Sequence, residues 1–259
     1  MVNEEGTIEV KLTSPMQLAS GAADVNVDAD IVHDELGLPY FPGRRLRGLL
    51  YESALEVVEM GEAAGVADQF ATRALVEELF HHDGGEVELL VDDLHLPDYA
   101  AVASDWQRIF SAYGDAVRPD DVLAAYTGLR MQTALDEDGR ADDTTLRTIR
   151  VLLPGTGGEN RLSFEGSISI RKGRPGHWQA LSWAVKNLRR AGSHRWRGFG
   201  GVECTLESSD EKLKPRMEQM IDRAKRLLSN PSSAVSKEGR TNKYQARQQH
   251  KQMHRKKRR

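Results

Sequence analysis

The sequence predicts an α+β fold. Three observations lead there: alternating apolar and polar residues over 7–14 and 161–171, a helix-periodic apolar stripe beginning just after Pro42-Gly43, and a second stripe over 177–190 that runs into another alternating stretch. At 259 residues the chain is long enough for one large domain or two small ones, with a sizeable core.

In order, Ile8, Val10 and Leu12 alternate with Glu9, Lys11 and Thr13, the period of a strand. Residues 15–30 are small and turn-forming and predict a long loop. The stretches 31–33 and 38–41 flank a turn at 34–37 and predict a small hairpin. Leu46, Leu49, Leu50, Ala54, Val57 and Val58 then recur at helical spacing, giving a helix over 44–60. The spacing predicts further helices over 66–80, 99–113 and 118–126, with a strand at 86–91. Two strands, 128–135 and 146–153, surround a polar tip at 136–145. The strand 161–171 follows, then a helix with Trp178, Leu181, Ala184 and Leu188 on one face. The glycine-rich stretch 191–201 leads into a strand carrying Val202, Cys204 and Leu206. A last helix is expected over about 209–230. Residues 231–259 are almost devoid of apolar side chains and read as a basic tail without its own fold.

The outer framework reads strand, helix, strands, helix, strand. This is the βαββαβ order of a ferredoxin-like core, with the strands between 128 and 171 in the middle and a helical insertion at about 61–126. The same framework underlies RNA-recognition modules, whose open sheet often binds RNA.

Charge is the most uneven property of the chain. The net charge of −3 conceals 30 acidic against 11 basic residues in 1–150, and 9 against 25 in 151–259. The last seventeen residues hold eight bases and no acid. Such polarity suggests a polyanionic partner at the basic end. The lone Cys204 excludes an internal disulfide and a cysteine-based zinc site. The polar, acidic start does not resemble a secretory signal, and no apolar run approaches the roughly 18 residues a spanning helix needs. A cytoplasmic protein without membrane partners is expected.

Four segments could carry chemistry. The stretch 191–201 combines glycines with Arg195, Arg197 and Trp196. Such a loop could gather N–H groups and guanidinium donors on phosphate and stack a base, or it could simply turn the chain. Its helix–loop–strand order and the absence of a phosphate-loop motif argue against a nucleotide cofactor. Arg44, Arg45 and Arg47 sit on the first helical turn, where positive charge opposes the helix dipole unless an anion binds; the other reading is a solvated basic turn. The acidic loop Asp24, Asp28, Asp30 could hold Mg²⁺ or another divalent cation, or could be plain solvated surface. The polar-tipped hairpin, flanked by Arg130, Arg147 and Arg150, could be a protruding arm or a loose loop. His81, His82 and His177 lack matching ligands and read as surface or capping residues.

Together these segments resemble the RAMP superfamily of CRISPR-associated proteins, in particular the type III effector backbone subunit that polymerises along guide RNA. The likeness rests on DADIVHD at 28–34, GLPYFPG at 37–43 with Leu46-Arg47-Gly48 behind it, RGFGGV at 197–202, and the run from Arg130 to Arg150 followed by LPGT at 153–156 and FEG at 164–166. It spans about 7–208 in order and spacing. Arg44-Arg45 departs from the small hydroxyl residues usual after the family's Pro-Gly turn.

The resemblance implies that Arg44, Arg45, Arg47, Arg130, Arg147, Arg195, Arg197 and the loop glycines Gly198, Gly200 and Gly201 hold RNA. A thumb at about 132–146 would wedge between guide and target. Asp28 would support divalent-metal-dependent cleavage of the target at regular intervals, with Asp24 and Asp30 close enough to share its role. The partners implied are crRNA, complementary target RNA, other copies of the chain and other type III subunits. The acidic half would then face a neighbouring copy in a head-to-tail stack. Two alternatives stand beside this: a catalytically inactive structural backbone subunit, and a repeat-RNA-processing endoribonuclease centred on His33 or His194.

Overall fold

The computed structural model describes residues 2–23, 27–65, 71–80, 86–114, 116–133, 145–155 and 161–208. The elements in chain order are β1 (Val2–Leu12), α1 (Gly43–Ala64), α2 (Arg73–Phe80), β2 (Glu88–Val91), α3 (Tyr99–Tyr113), α4 (Pro119–Tyr126), β3 (Thr127–Gln132), β4 (Arg147–Leu152), β5 (Ser163–Gly173), α5 (Pro175–Asn187) and β6 (Val202–Ser208). Four strands form the main sheet in the order β2-β5-β1-β6, and each neighbouring pair is antiparallel. Read as β1-α1-β2-β5-α5-β6, this is the expected ferredoxin-like βαββαβ arrangement, with β1 and β5 in the centre.

The alternation in the sequence decides which face is buried. Ile8, Val10 and Leu12 of β1, Phe164, Ile168 and Ile170 of β5, and Val202, Cys204 and Leu206 of β6 point to one side. Onto that side pack Leu46, Leu50, Ala54 and Val58 of α1, and Trp178, Leu181, Ala184 and Val185 of α5. Each such large apolar side chain contributes about 1.5–3 kcal/mol on burial. The two helices touch closely enough for the Ser53 hydroxyl to donate to the Ala184 carbonyl at 2.8 Å.

The frame corrects one expectation. Residues 61–126 are not a single helical insertion, because Glu88–Val91 within them is an edge strand of the main sheet, paired with β5. The two strands read as the middle of the frame, β3 and β4, instead form a separate two-stranded ribbon. The true interruption of the frame therefore runs from 92 to 162 and holds α3, α4 and the ribbon. Smaller differences are that β1 begins at Val2 and α2 begins at Arg73. The helix expected over 209–230, the tail 231–259, Asp24, His81, His82 and the thumb tip from 134 to 144 lie outside the described residues.

The open face of the main sheet has its own chemistry. Outward positions of the main sheet carry no aromatic side chain on which a base could stack, and most of their charges are acidic. Among the described residues, no helix is long and apolar enough to cross a membrane.

Candidate nucleic-acid interface

Because β5 is antiparallel to both β1 and β2, these two strands run the same way. Their C-terminal ends, Leu12 and Val91, therefore lie at the same end of the sheet as the starts of β5 and β6. All the described candidate residues come from segments at that end: 13–47, the 92–162 interruption and 188–201.

The segment 13–19 ties these pieces together. On one side it meets the glycine-rich stretch: Gly201 N–H donates to Ser14 Oγ at 2.7 Å, Gly200 N–H to the Pro15 carbonyl at 2.7 Å, and Ser193 N–H to the Gln17 carbonyl at 2.8 Å. On the other side Met16 and Leu152 of β4 exchange backbone hydrogen bonds at 3.0 and 2.7 Å. The chain then returns along β4, where Asp28 N–H donates to the Thr148 carbonyl and Arg150 N–H to the Ala29 carbonyl. The glycine loop and the acidic loop are thus fixed to two banks of one segment.

The carboxylates of that acidic loop have distinct environments. Asp30 Oδ1 accepts from Arg150 Nε at 2.8 Å and from Ile31 N–H at 2.7 Å, and both charged side chains are only 16% exposed. Asp28 is exposed, and its Oδ2 accepts the Thr148 N–H at 2.6 Å. This bond orients the Asp28 carboxylate against the base of the ribbon without enclosing it. Arg147, next to Thr148 in sequence, and Arg130, opposite Ile149, are both exposed on the ribbon.

The arginines of α1 divide in the same way. Arg44 and Arg45 are exposed on the first turn. Arg47 turns inward and donates to the Phe80 carbonyl at 2.6 Å, tying α1 to α2, and burial pushes its pKa down. The helix N-terminus is already served by the protein's own anion: Asp93 Oδ1 accepts the Gly43 N–H at 2.7 Å. The conflict between the arginines and the helix dipole is therefore relieved by Asp93, without an external phosphate.

The glycines have a packing role that the sequence did not distinguish from a phosphate cradle. Gly200 has φ +74°, and a Cβ there would lie 1.8 Å from the Ala191 carbonyl oxygen. Its N–H and that of Gly201 are both used inside the fold. Gly198 has φ +86° with open space around it. Between Gly192 and Gly198 the backbone makes a short 3₁₀ turn, Arg195–Arg197. Arg195 pairs with Glu52 of α1 at 2.9 Å, and its carbonyl accepts from Arg190 at 2.7 Å. Arg197 is exposed, and Trp196 is 96% exposed. The turn thus presents a guanidinium and an indole to solvent on a tightly fixed base. Glu52 and Arg190 were not among the sequence candidates. Their spacing carries no motif, and the Glu52–Arg195 pair spans 143 residues.

No family model and no curated protein matches the chain. Solved structures do share its architecture. A chain of the Type III-B Cmr-beta cryo-EM structure in the apo state aligns with a TM-score of 0.52 at 12% identity, over 80% of this chain and 98% of that one. A chain of Type III-B Cmr-beta bound to cognate target RNA aligns with a TM-score of 0.51 at 12% identity, over 80% and 97%. The likeness is one of fold. The fold class read from the sequence is shared with these neighbours over most of the chain.

Among the described residues no group of three or more His, Cys, Asp or Glu could jointly hold a metal ion. Mg²⁺ commonly takes only one or two carboxylates, with waters and substrate phosphates completing its shell, so Asp28 fits as a single protein ligand. The histidines are engaged elsewhere: His33 Nδ1 pairs with the Asp34 carbonyl at 2.8 Å, and His194 packs edge-on to Phe199. His177 is fully buried and caps α5, its Nδ1 accepting the Arg174 N–H at 3.0 Å.

Proposed function

We propose that this chain is a guide-RNA-binding backbone subunit of a type III CRISPR effector complex, and that it cleaves complementary target RNA with Asp28. The observation that carries the reading is the convergence of exposed Arg44, Arg45, Arg197 and Trp196 with Asp28 and the ribbon at one end of the sheet. The shared architecture with chains of two Type III-B Cmr-beta structures, one in the apo state and one of Cmr-beta bound to cognate target RNA, supports it.

In this reading Arg44, Arg45 and Arg197 contact guide phosphates, with Gly198 letting the loop approach the backbone closely. Trp196 offers a stacking surface that tolerates any base. Arg195 and Arg47 act through the fold: one holds the 3₁₀ turn against α1, the other ties α1 to α2. The ribbon, flanked by Arg130 and Arg147, reaches between guide and target. Base pairing supplies the sequence specificity. A bound divalent cation would polarise the scissile phosphate. Asp28 is the residue that would hold it, its carboxylate oriented by the Thr148 N–H. The further partners are other copies of the chain and other subunits of the complex, which acts in the cytoplasm.

The test uses the assembled complex, complementary RNA and Mg²⁺. Regularly spaced cuts are expected, and Asp28→Ala should abolish them while target binding is unchanged. An uncut target with the unmodified protein leaves a structural subunit only.

A further inference from the structure

The open face of the main sheet takes no part in the function proposed above, and its chemistry is unlike that of the loop cluster. Outward along the strands stand Glu5 and Glu9 of β1, Glu88 of β2, Glu165 of β5, and Glu203 and Glu207 of β6. The bases on outward positions of these strands are Lys11 and Arg171. Glu9 and Glu165 lie directly opposite each other across the β1–β5 register, an arrangement of like charges that disfavours the sheet unless a cation attends it. Lys11 lies 3.3 Å from Glu9, and Arg161 at the mouth of β5 reaches Glu203 at 3.2 Å. That still leaves Glu5, Glu165 and Glu207 exposed. A surface of this sign repels RNA and attracts a polycation.

The chain carries such a polycation. Residues 231–259 hold ten Lys or Arg against the single acid Glu238. The path of the chain brings it to this face. β6 is the edge strand next to β1, it runs away from the loop cluster, and it ends at Ser208, directly after the outward Glu207. Only residues 209–230 separate that point from the basic segment. The covalent connection makes the encounter intramolecular, which helps to gather several individually weak ion pairs.

We propose that the open face of the main sheet is the docking surface for the chain's own basic C-terminal segment, residues 231–259. Seated there, the segment neutralises the Glu9–Glu165 row and is withheld from RNA. A polyanion of higher charge density draws it off. This second consequence rests on the RNA-binding function proposed above; the docking itself does not.

Carbodiimide coupling of the full-length chain, followed by peptide mass spectrometry, tests the docking. Amide links are expected from Lys251, Lys256 or Lys257 to Glu5, Glu165 or Glu207 at low salt. They should vanish at about 0.5 M salt, where screening acts over a few ångströms. Coupling a mixture of heavy-isotope and ordinary chains should give links within one isotope only. Mixed-isotope links would overturn the assignment to the same chain, and links confined to acids of α3 and α4, or none, would overturn the docking surface. In a parallel arm, the triple variant Glu5→Gln, Glu165→Gln, Glu207→Gln should lose the links and bind single-stranded homopolymer RNA several-fold more tightly. Links in the unmodified chain with unaltered RNA affinity in the variant would overturn the competition and leave the docking standing.

Discussion

Asp28 and Asp30 are two residues apart and have opposite physical situations. Asp30 is largely withdrawn from water and bonded to the Arg150 guanidinium, while Asp28 is exposed and held through one oxygen by a backbone N–H. Removing Asp30 leaves Arg150 without its carboxylate in a mostly buried place, and such losses commonly cost about 3 kcal/mol. Asp30→Ala is therefore expected to lower the urea unfolding free energy by about 2–3 kcal/mol, and Asp28→Ala by less than about 1 kcal/mol. Equal losses in urea titrations of the two variants would contradict this division. The sequence placed both aspartates in one loop but could not separate them, because the partner that distinguishes Asp30 lies 120 residues away. The same holds for Arg47, whose helical position is legible while its turn toward the Phe80 carbonyl is not.

Helix α5 illustrates what one element draws from its ends. Pro175 opens it with a backbone angle already suited to the first turn. His177 then closes the cap with an unprotonated Nδ1, its Nε2 lying 3.4 Å from Glu78. Burial lowers the His177 pKa below its ordinary 6.5, with Glu78 opposing the shift less strongly. Between the folded pKa and 6.5 the unfolded chain binds more protons, so stability is full above about 6.5 and is lost as the pH falls below it. Urea midpoints should accordingly fall between pH 7.5 and pH 5.5. In His177→Gln, whose amide oxygen can still accept the Arg174 N–H, the fall should be shallower; an unchanged slope would remove His177 as its source. The apolar face of α5 was readable from Trp178, Leu181, Ala184 and Leu188. The role of β2 was not. A four-residue strand between helical segments carries too short a pattern to compete with the longer ribbon strands, and strand pairing is decided at a distance that no local pattern records.

For the molecule as a whole, charge is sorted by surface and not only by position in the chain. Arg44 and Arg45 are basic residues within the acidic half, and Glu203 and Glu207 are acidic residues within the basic half. The fold sends the first pair to the loop cluster and the second to the open sheet. If the loop cluster is where RNA phosphates are neutralised, replacing Arg44 and Arg45 together by Gln should reduce the slope of log affinity against log salt by about 1.4, roughly 0.7 per lost phosphate contact on a single strand. Lys11→Gln, on the sheet face, should leave that slope unchanged. A matching effect of Lys11→Gln, read by filter binding over a salt series, would place the RNA elsewhere. The polarity of the sequence and its α+β fold class were both legible in the residues themselves. The sorting was not, since it depends on which residues of each strand face outward and on where the loops meet.

The central seat of β1 also has a consequence in time. It is made before both of its neighbours, β5 and β6, which lie more than 150 and about 190 residues further along the chain. A growing polypeptide therefore carries an alternating, aggregation-capable strand with both edges open through most of its synthesis, and long-range pairings of this kind close slowly. β6, the last strand among the described residues, completes both the sheet and the anchorage of the glycine loop. The interface for RNA and the protection of β1 are thus finished in a single late step.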